Sequence, residues 1–522
     1  MEDNEQGIQE QVEERIKAER EAAQAEAKPK DDCIPTAFIE DCFNSNERGD
    51  GILFAALHRG KVIFDKTSEL WYRWAGHYWT RDKLTDVFEL VEEVNMRYLD
   101  EAERLEKKAQ ELPGEDNKSK REALRRKRDA YRDRVRRLRG DRAQKCLTWT
   151  HRIENGLKIC GDEFDLNPWL LACNNGVIEL KTGRKRDGRP GDLITKAAPH
   201  EWKGIDEPAP IWAQFLNDIF ANKGDLIAYV RRLFGYSISG LSTEHILPVL
   251  HGEGRNGKGT LVETLRYVLG PLAEPIQPEM LLDQKNARSS SGPSPDLMSL
   301  KGLRIAFASE TDEGRRFSTS AAKRFTGGDT LTGRNPHDRY ETIFEPTHLL
   351  CLLTNHLPHA PGDDYAFWQR VHLVPFDMKF VDNPSAENEL PKVKDLREKL
   401  KGEAPGILAW LVRGYLEWQR EGLNPPPIVL KATEQYRAGE DLLGKFIDAY
   451  CHDPNNEDVK KERTLYKDLY DAFKEWYEAE IGDHPPKKQR FGQIMAKRFK
   501  KKEIGGKVWY YGVSLKSDME RD

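Results

Sequence analysis

The chain has 522 residues, enough for about three domains and too many for one core. Hydrophobic residues make up 38% and charged residues 33%, and no apolar run reaches the about 18 residues a membrane span needs, which excludes a membrane-embedded chain. A net charge of −5 excludes an overall basic molecule and leaves nucleic-acid binding to local patches. Seven scattered cysteines without a C-x-x-C pair argue against a disulfide framework and fit a reducing cytoplasm.

Residues 1–35 are rich in Glu, Gln, Ala and Lys, lack the apolar stretch of a secretory signal, and read as a disordered tail or frayed helix. The stretch GILFAALHRGKVIFDKTSELWYRWAGHYWTRDKL supplies short strand-like runs in which Trp71, Trp74 and Trp79 read as core. Across residues 99–145, two charged helices flank a Pro-Gly turn. The second arm is strongly basic, with Arg125, Arg126, Lys127, Arg128, Arg132, Arg134, Arg136, Arg137 and Arg139. It reads either as a solvated hairpin packed along its Leu and Val positions or as an arm that contacts phosphates. NPWLLACNNGVIELKTG predicts a strand, a turn at Asn175–Gly176 and a second strand, and PIWAQFLNDIF and DLIAYVRRLFGYSISG have helical spacing.

HILPVLHGEGRNGKGTLVETLRYVL then sets an apolar strand, a glycine-rich turn and an amphipathic helix in succession. Glycines let backbone N–H groups converge on phosphate oxygens, while the helix N-terminus and Lys258 supply positive charge. Gly252, Gly254, Asn256, Gly257, Lys258, Gly259 and Thr260 are therefore the candidate nucleotide-binding set. Gly259 stands where the usual pattern has a hydroxyl, which leaves Thr260 to approach Mg²⁺ or a phosphate. A second apolar strand, Arg304 to Ala308, leads to Glu310, where a motor ATPase holds Mg²⁺ and polarises the attacking water, with Asp312 or Glu313 placed to assist. A third, in THLLCLLTNHLP, ends at Asn355, a turn former or a sensor of the γ-phosphate. Arg370, in DDYAFWQRVHLVPF, makes an internal ion pair or, in a ring, reaches the neighbour's nucleotide. Further on, GILAWLVRGYLEWQREGL is an amphipathic helix ending at Gly422, NPPPIVL is a linker, and the last sixty or so residues hold two helices, the second in RFGQIMAKRFKKK, before the short strand KVWYYGVSL.

With AAKRFTGGDTLTGR, NPHDRYETIFEPTHLLCLLTNHLP and FWQRVHLVPF following in order, residues 36–515 resemble a superfamily 3 helicase of the phage/plasmid primase–helicase type, related to the poxvirus primase–helicase. The resemblance implies an α/β fold: an AAA+ type P-loop ATPase core with a parallel sheet, preceded by an α/β N-terminal domain with a helical-hairpin insertion and followed by a winged helix. The expected division is 36–205 for the N-terminal domain, 206–240 for a helical collar, 241–385 for the ATPase core, 386–445 for its helical C-terminal part and 446–522 for the winged helix. It further implies an ATP- and Mg²⁺-dependent helicase that assembles as a homo-hexamer and moves on single-stranded and forked DNA. Such a protein replicates a phage, plasmid or other mobile element in the cytoplasm of a bacterial or archaeal cell.

Carried over, Lys258 and Thr260 bind phosphates and Mg²⁺, and Glu310 is the Walker B acid and metal ligand, with Asp312 assisting. Asn355 is the sensor, Arg370 the arginine finger, and Lys323, Arg334, His337 and Arg339 are DNA contacts on or near a pore-facing hairpin. No paired acids with a partnered histidine precede residue 240, so the resemblance is to the helicase module, with a primase or origin-binding protein as a separate partner. Two other readings stay open: an ATP-switched origin-binding or loading protein, which the winged helix and basic hairpin fit equally, and a nucleotide kinase, suggested by Gly-Lys-Gly-Thr.

Overall fold

A computed structural model of the chain describes residues 34–284, 292–309, 314–336, 341–481, 485–517 and 520. The expected N-terminal tail lies almost wholly outside these residues, as do Glu310, Asp312, Glu313, His337 and Arg339. No described helix is long and apolar enough to cross a membrane.

The N-terminal part opens with helices α1 (Thr36–Asn44) and α2 (Asn46–His58), followed by strands β1 (Val62–Asp65), β2 (Leu70–Trp74) and β3 (Trp79–Arg81). Helices α3 (Val91–Gln110) and α4 (Lys118–Leu138) form the expected charged hairpin, and α5 (Arg142–Thr150) and β4 (Lys158–Ile159) complete the unit. Its sheet runs β3-β2-β1-β4. Trp79 is buried, while Trp71 and Trp74 are only half-buried at the sheet surface.

The hairpin packs through Tyr98, Leu105, Tyr131, Val135 and Leu138 at helical spacing. Much of its basic charge is engaged inside the chain. Arg134 meets the fully buried Asp50 at 2.8 Å, Arg142 takes the other carboxylate oxygen at 2.8 Å, and the Tyr98 hydroxyl donates to Asp50 at 2.9 Å. Lys127 pairs with Glu40, Arg128 with Glu106 and Arg139 with Glu92; Lys127 and Arg139 hold Glu40 and Glu92 below the usual carboxylate range, and Gln110, then Arg128, does the same for Glu106. Arg126, Arg132 and Arg137 remain on the exposed side.

A second sheet, ordered β7-β6-β5-β8, contains β5 (Leu170–Cys173), β6 (Gly176–Glu179), β7 (Arg184–Arg186) and β8 (Ala197–Ala198). It packs with helices α6 (Pro210–Ile219) and α7 (Gly224–Ser237) into a buried cluster shared with the central sheet, through Leu171, Ile178 and Trp202.

The central sheet is parallel and five-stranded. In chain order its parts are β9 (Leu247–His251), α8 (Lys258–Leu269), β10 (Ala273–Ile276), α9 (Pro295–Ser299), β11 (Ile305–Ser309), α10 (Thr319–Thr326), β14 (Leu349–Thr354), α11 (Tyr365–Trp368) and β15 (Val371–Pro375), with a hairpin of β12 (Leu331–Gly333) and β13 (Thr342–Phe344) between α10 and β14. The strand order is β10-β11-β14-β9-β15. Alternate residues enter opposite layers: Leu250, Phe307 and Leu353 face one buried cluster, and Val249, Ala308 and Leu352 face the other. Burial on both faces explains why these strands read as nearly continuous apolar runs. The small pair β16 (Lys379–Val381) and β17 (Glu389–Pro391), with α12 (Leu396–Gly402), leads to α13 (Ala404–Glu421), which lies against α7.

Arg304, just ahead of β11, is buried beneath this assembly. It donates to Ser239 O at 2.6 Å and to Leu170 O at 3.3 Å, and burial pushes its guanidinium down to about 10. Gly240 adopts φ +69, and a Cβ there would sit 1.4 Å from the Arg304 Nη1, so only glycine admits the side chain.

The C-terminal unit follows α14 (Pro427–Gly439) and comprises α15 (Leu442–Tyr450), β18 (Arg463–Leu465), α16 (Tyr466–Glu480), α17 (Lys488–Arg498), β19 (Lys500–Ile504) and β20 (Lys507–Tyr511). Phe446, Phe473, Trp476, Phe491 and Met495 fill its core. The helix expected to run through RFGQIMAKRFKKK stops at Arg498, because the lysines beyond it pair as strand β19 along β20. Three cations of α17 are tied to the preceding part: Arg490 and Lys497 to Asp363, and Arg498 to Asp441.

Candidate functional site

The glycine-rich loop joins the exit end of β9 to the first turn of α8. Gly257 takes φ +87, a left-handed conformation, and a Cβ there would fall 2.4 Å from Ile219 Cγ2 on α6. The buried Asn256 pins the loop from within: its Nδ2 donates to Phe376 O at 3.4 Å and its Oδ1 accepts from the Lys258 backbone N–H at 3.4 Å. Glu253, the loop's one acid, is paired with Lys379 and so is neutralised locally. Around Gly254 and Gly259 an added Cβ would meet nothing within 4 Å, so the loop has an open side.

Lys258 points back into the loop. Its ammonium donates to Gly252 O and, at 2.9 Å, to Asn355 Oδ1. The residue is only 7% exposed, and burial alone pushes its pKa down to about 8. Both named acceptors are neutral, and among the described residues no carboxylate pairs with this buried cation. The same burial, with the Lys258 charge, holds His251 below the ordinary histidine value.

Register brings the candidate Asn355 to the same edge. His251 of β9 lies beside Thr354 of β14, and Leu353 of β14 beside Ser309 of β11. Asn355 therefore leaves the sheet next to the loop, while Ser309 ends β11 one strand further out, beyond β14. Glu310, the next residue in sequence, lies outside the described residues. Thr260 is half-buried on the first turn of α8. Among the described residues no cluster of three or more His, Cys, Asp or Glu could hold a metal ion. The loop amides, Lys258 and the Thr260 hydroxyl fit a triphosphate, and when bound its Mg²⁺ would supply charge neutralisation at the phosphates.

Arg370 lies elsewhere. Its backbone precedes Val371, which pairs with Leu247 at the entry end of β9, so roughly 15 Å of strand separates it from the loop of its own chain. Its Nη1 donates to Ala366 O at 2.6 Å, and its Nε is buried without a hydrogen-bond partner. Neither the sensor candidate nor the phosphate loop is within its reach.

Lys323 on α10 is half-exposed and meets Asp364 at 3.0 Å. Asp364 also caps α11, the helix that carries the chain to Arg370, by accepting from Phe367 N. Arg334 follows β12 on the hairpin, whose Leu331–Phe344 register is antiparallel, and its backbone meets Ser294. Sequence reasoning missed Asp364 and Asp363. Both sit in a PGDDY turn, and only their salt-bridge partners, distant in the chain, mark them out.

Residues 51–221 match the family described as D5 N terminal like. The protein named "Putative helicase L207/L206" of Acanthamoeba polyphaga mimivirus is 31% identical over 350 residues, covering 63% of this chain and 36% of the viral protein. "Putative helicase 022R" of Frog virus 3 is 24% identical over 409 residues, covering 64% of this chain and 41% of its own length. Among solved structures, the apo NrS-1 C-terminal region covers 89% of this chain and 99% of its own, at a TM-score of 0.47 and 12% identity. By sequence, residues 51–221 carry a D5 N terminal like region, and the chain is similar to viral proteins named "Putative helicase". It spans between 35 and 41% of the length of the curated relatives it matches.

Proposed function

We propose that this chain is an ATP- and Mg²⁺-dependent DNA helicase motor that works as a homo-hexameric ring on single-stranded and forked DNA. The carrying observation is the buried Lys258 ammonium, held among the described residues by two neutral acceptors at an open glycine loop, where a phosphate would provide negative charge. The strand order β10-β11-β14-β9-β15 supports an AAA+ type core: the loop strand, the Asn355 strand and the strand leading to Glu310 are neighbours.

In this reading the loop amides and Lys258 hold the phosphates, Thr260 and Glu310 hold Mg²⁺ with Asp312 assisting, and Asn355 positions the attacking water. Arg370, at the opposite edge, reaches the nucleotide of the neighbouring subunit, which favours a ring over a kinase that closes arginines on its own site. The β12–β13 hairpin, through Arg334, His337 and Arg339, grips DNA phosphates, and Lys323 links that region through Asp364 to the Arg370 segment. The domain division at 205, 240, 385 and 445 stands as part of the proposal, as does a winged-helix reading of the C-terminal unit. So does a separate primase or origin-binding partner. The curated relatives are viral, so the mobile element extends to viruses and the cytoplasm to that of the corresponding host cell.

The test is ATP hydrolysis by the purified chain with and without single-stranded DNA, beside Lys258→Ala. DNA-stimulated hydrolysis lost in the variant supports the motor, and a fork-unwinding assay follows. Hydrolysis indifferent to DNA supports an ATP-switched loading protein. No hydrolysis overturns the ATPase reading.

A further inference from the structure

The sheet of the C-terminal unit is ordered β18-β20-β19, and its register sorts its side chains onto two faces. Tyr510 lies opposite Thr464 and Lys501; it is 1% exposed and donates to Gly492 O on α17, so this face is the core side. Trp509 and Tyr511 flank it in the strand and so point the other way. Trp509 lies opposite Leu465 and Lys502, and Tyr511 opposite Arg463 and Lys500. Lys507 and Ile504 form the next pair on the same outward face.

That face is unusual in content. Trp509 and Tyr511 are half-exposed, outside the unit's buried cluster, and they alternate with Arg463, Lys500, Lys502 and Lys507, all exposed. The Arg463 guanidinium sits 4.7 Å from the Trp509 ring centroid, and the Lys502 ammonium 5.7 Å from that of Tyr511. None of the four cations has a carboxylate partner among the described residues, and the one acid of β19, Glu503, belongs to the other face. By contrast, the α17 cations Arg490, Lys497 and Arg498 are already engaged by Asp363 and Asp441.

We infer that the outward face of this sheet is a binding platform for single-stranded nucleic acid. Aromatic planes spaced two residues apart on one strand offer stacking surfaces for exposed bases, which a duplex keeps paired inside. The flanking cations offer contacts to a phosphate backbone without reading sequence. Ile504 and Leu465 are the aliphatic residues of this face, but four cations around two rings, without carboxylate partners among the described residues, favour a phosphate backbone over a protein partner. The platform is independent of the nucleotide loop, so it and the ATPase reading stand or fall separately.

The experiment measures anisotropy of a labelled oligothymidylate of about 12 nucleotides, within the usual footprint of such surfaces, bound to the full chain without nucleotide across a salt series. Four proteins are compared: the unaltered chain, Trp509→Ala, Trp509→Phe, and Lys500→Gln combined with Lys502→Gln. Trp509→Ala is expected to weaken binding about fivefold or more, the low end for loss of a stacking plane. Trp509→Phe, which keeps a ring, stays within about twofold. The double lysine variant lowers the salt slope by roughly 1.4, the share of two single-strand phosphate contacts. Basal ATP hydrolysis is unchanged in all three variants. Equal loss in Trp509→Ala and Trp509→Phe, unchanged affinity in Trp509→Ala, or a preference for duplex of the same length would each overturn the inference.

Discussion

Replacing Lys258 by methionine separates what the loop costs from what it does. The side chain keeps nearly the same length and loses its charge. Burial brings the ammonium from the ordinary 10.5 to about 8. At about 1.4 kcal/mol per tenfold, carrying that charge at neutral pH costs the nucleotide-free fold about 3 kcal/mol. Removing it leaves Gly252 O and Asn355 Oδ1 without their donor; Asn355 is exposed and turns to water, so the offset is about 1 kcal/mol. Lys258→Met should therefore stabilise the apo site by about 2 kcal/mol while abolishing ATP hydrolysis.

The sign with pH follows from the depressed value. Between pH 8 and 10.5 the unfolded chain binds the proton and the folded site does not, so stability of the unaltered chain rises through that window and the variant's advantage disappears. Hydrogen exchange of the amides in α8, at pH 7 and again near pH 10, reads the opening free energy of this site directly. A variant less stable at pH 7, or an advantage that persists at high pH, would refute the claim that Lys258 is a desolvated cation.

Gly259→Ser adds a side chain into open space on a helix, so it should stabilise α8 by about 0.5 kcal/mol and preserve ATP binding, as read by calorimetric titration. Asp50→Ala leaves Arg134 and Arg142 buried without their carboxylate and should destabilise the N-terminal unit by roughly 3–5 kcal/mol in urea unfolding. Arg370→Ala should be inactive alone yet regain ATP hydrolysis when mixed with Lys258→Ala, because each subunit supplies what the other lacks; mixtures as inactive as their parts would place Arg370 outside the reaction. His348 and His372 are pushed by burial down to about 4, so they charge only on unfolding and stability falls as pH drops from 6.5 toward 4. His348→Leu should shift the acid transition monitored by circular dichroism to lower pH.

The elements that sequence reading located best are those with strong local signals. The strand–loop–helix at residues 247–269 and the charged hairpin carry glycines or periodicity that act within a few residues. The turn expected at Asn175–Gly176 falls one residue earlier, at Asn174–Asn175, because Gly176 already belongs to β6 and pairs with Cys173. Pairing choices were less visible. Lys500, Lys501 and Lys502 continue a helical pattern in one dimension, and only β20 alongside makes them a strand. Likewise, the basic density of α4 left a packed hairpin and a phosphate-contacting arm both open, because its main partners, Glu40, Asp50, Glu92 and Glu106, lie outside the helix and so give no local signal. Sequence order placed Arg370 among the site candidates, while strand direction put it at the far edge of the sheet.

Arg304 has a consequence for how this molecule can be dissected. Its guanidinium donates to one carbonyl from the sheet of residues 170–198 and another from the segment after α7, and among the described residues no carboxylate is bonded to it, though the charge of Asp165 acts on it from nearby. A fragment trimmed to begin after the D5-like region would keep this arginine and discard the Leu170 acceptor, presenting a stranded cation and a bare apolar surface where Leu171, Ile178 and Trp202 had been. The matched region is thus a structural floor for the nucleotide loop, and a shortened motor should be sought by cutting before residue 160 and not after 205.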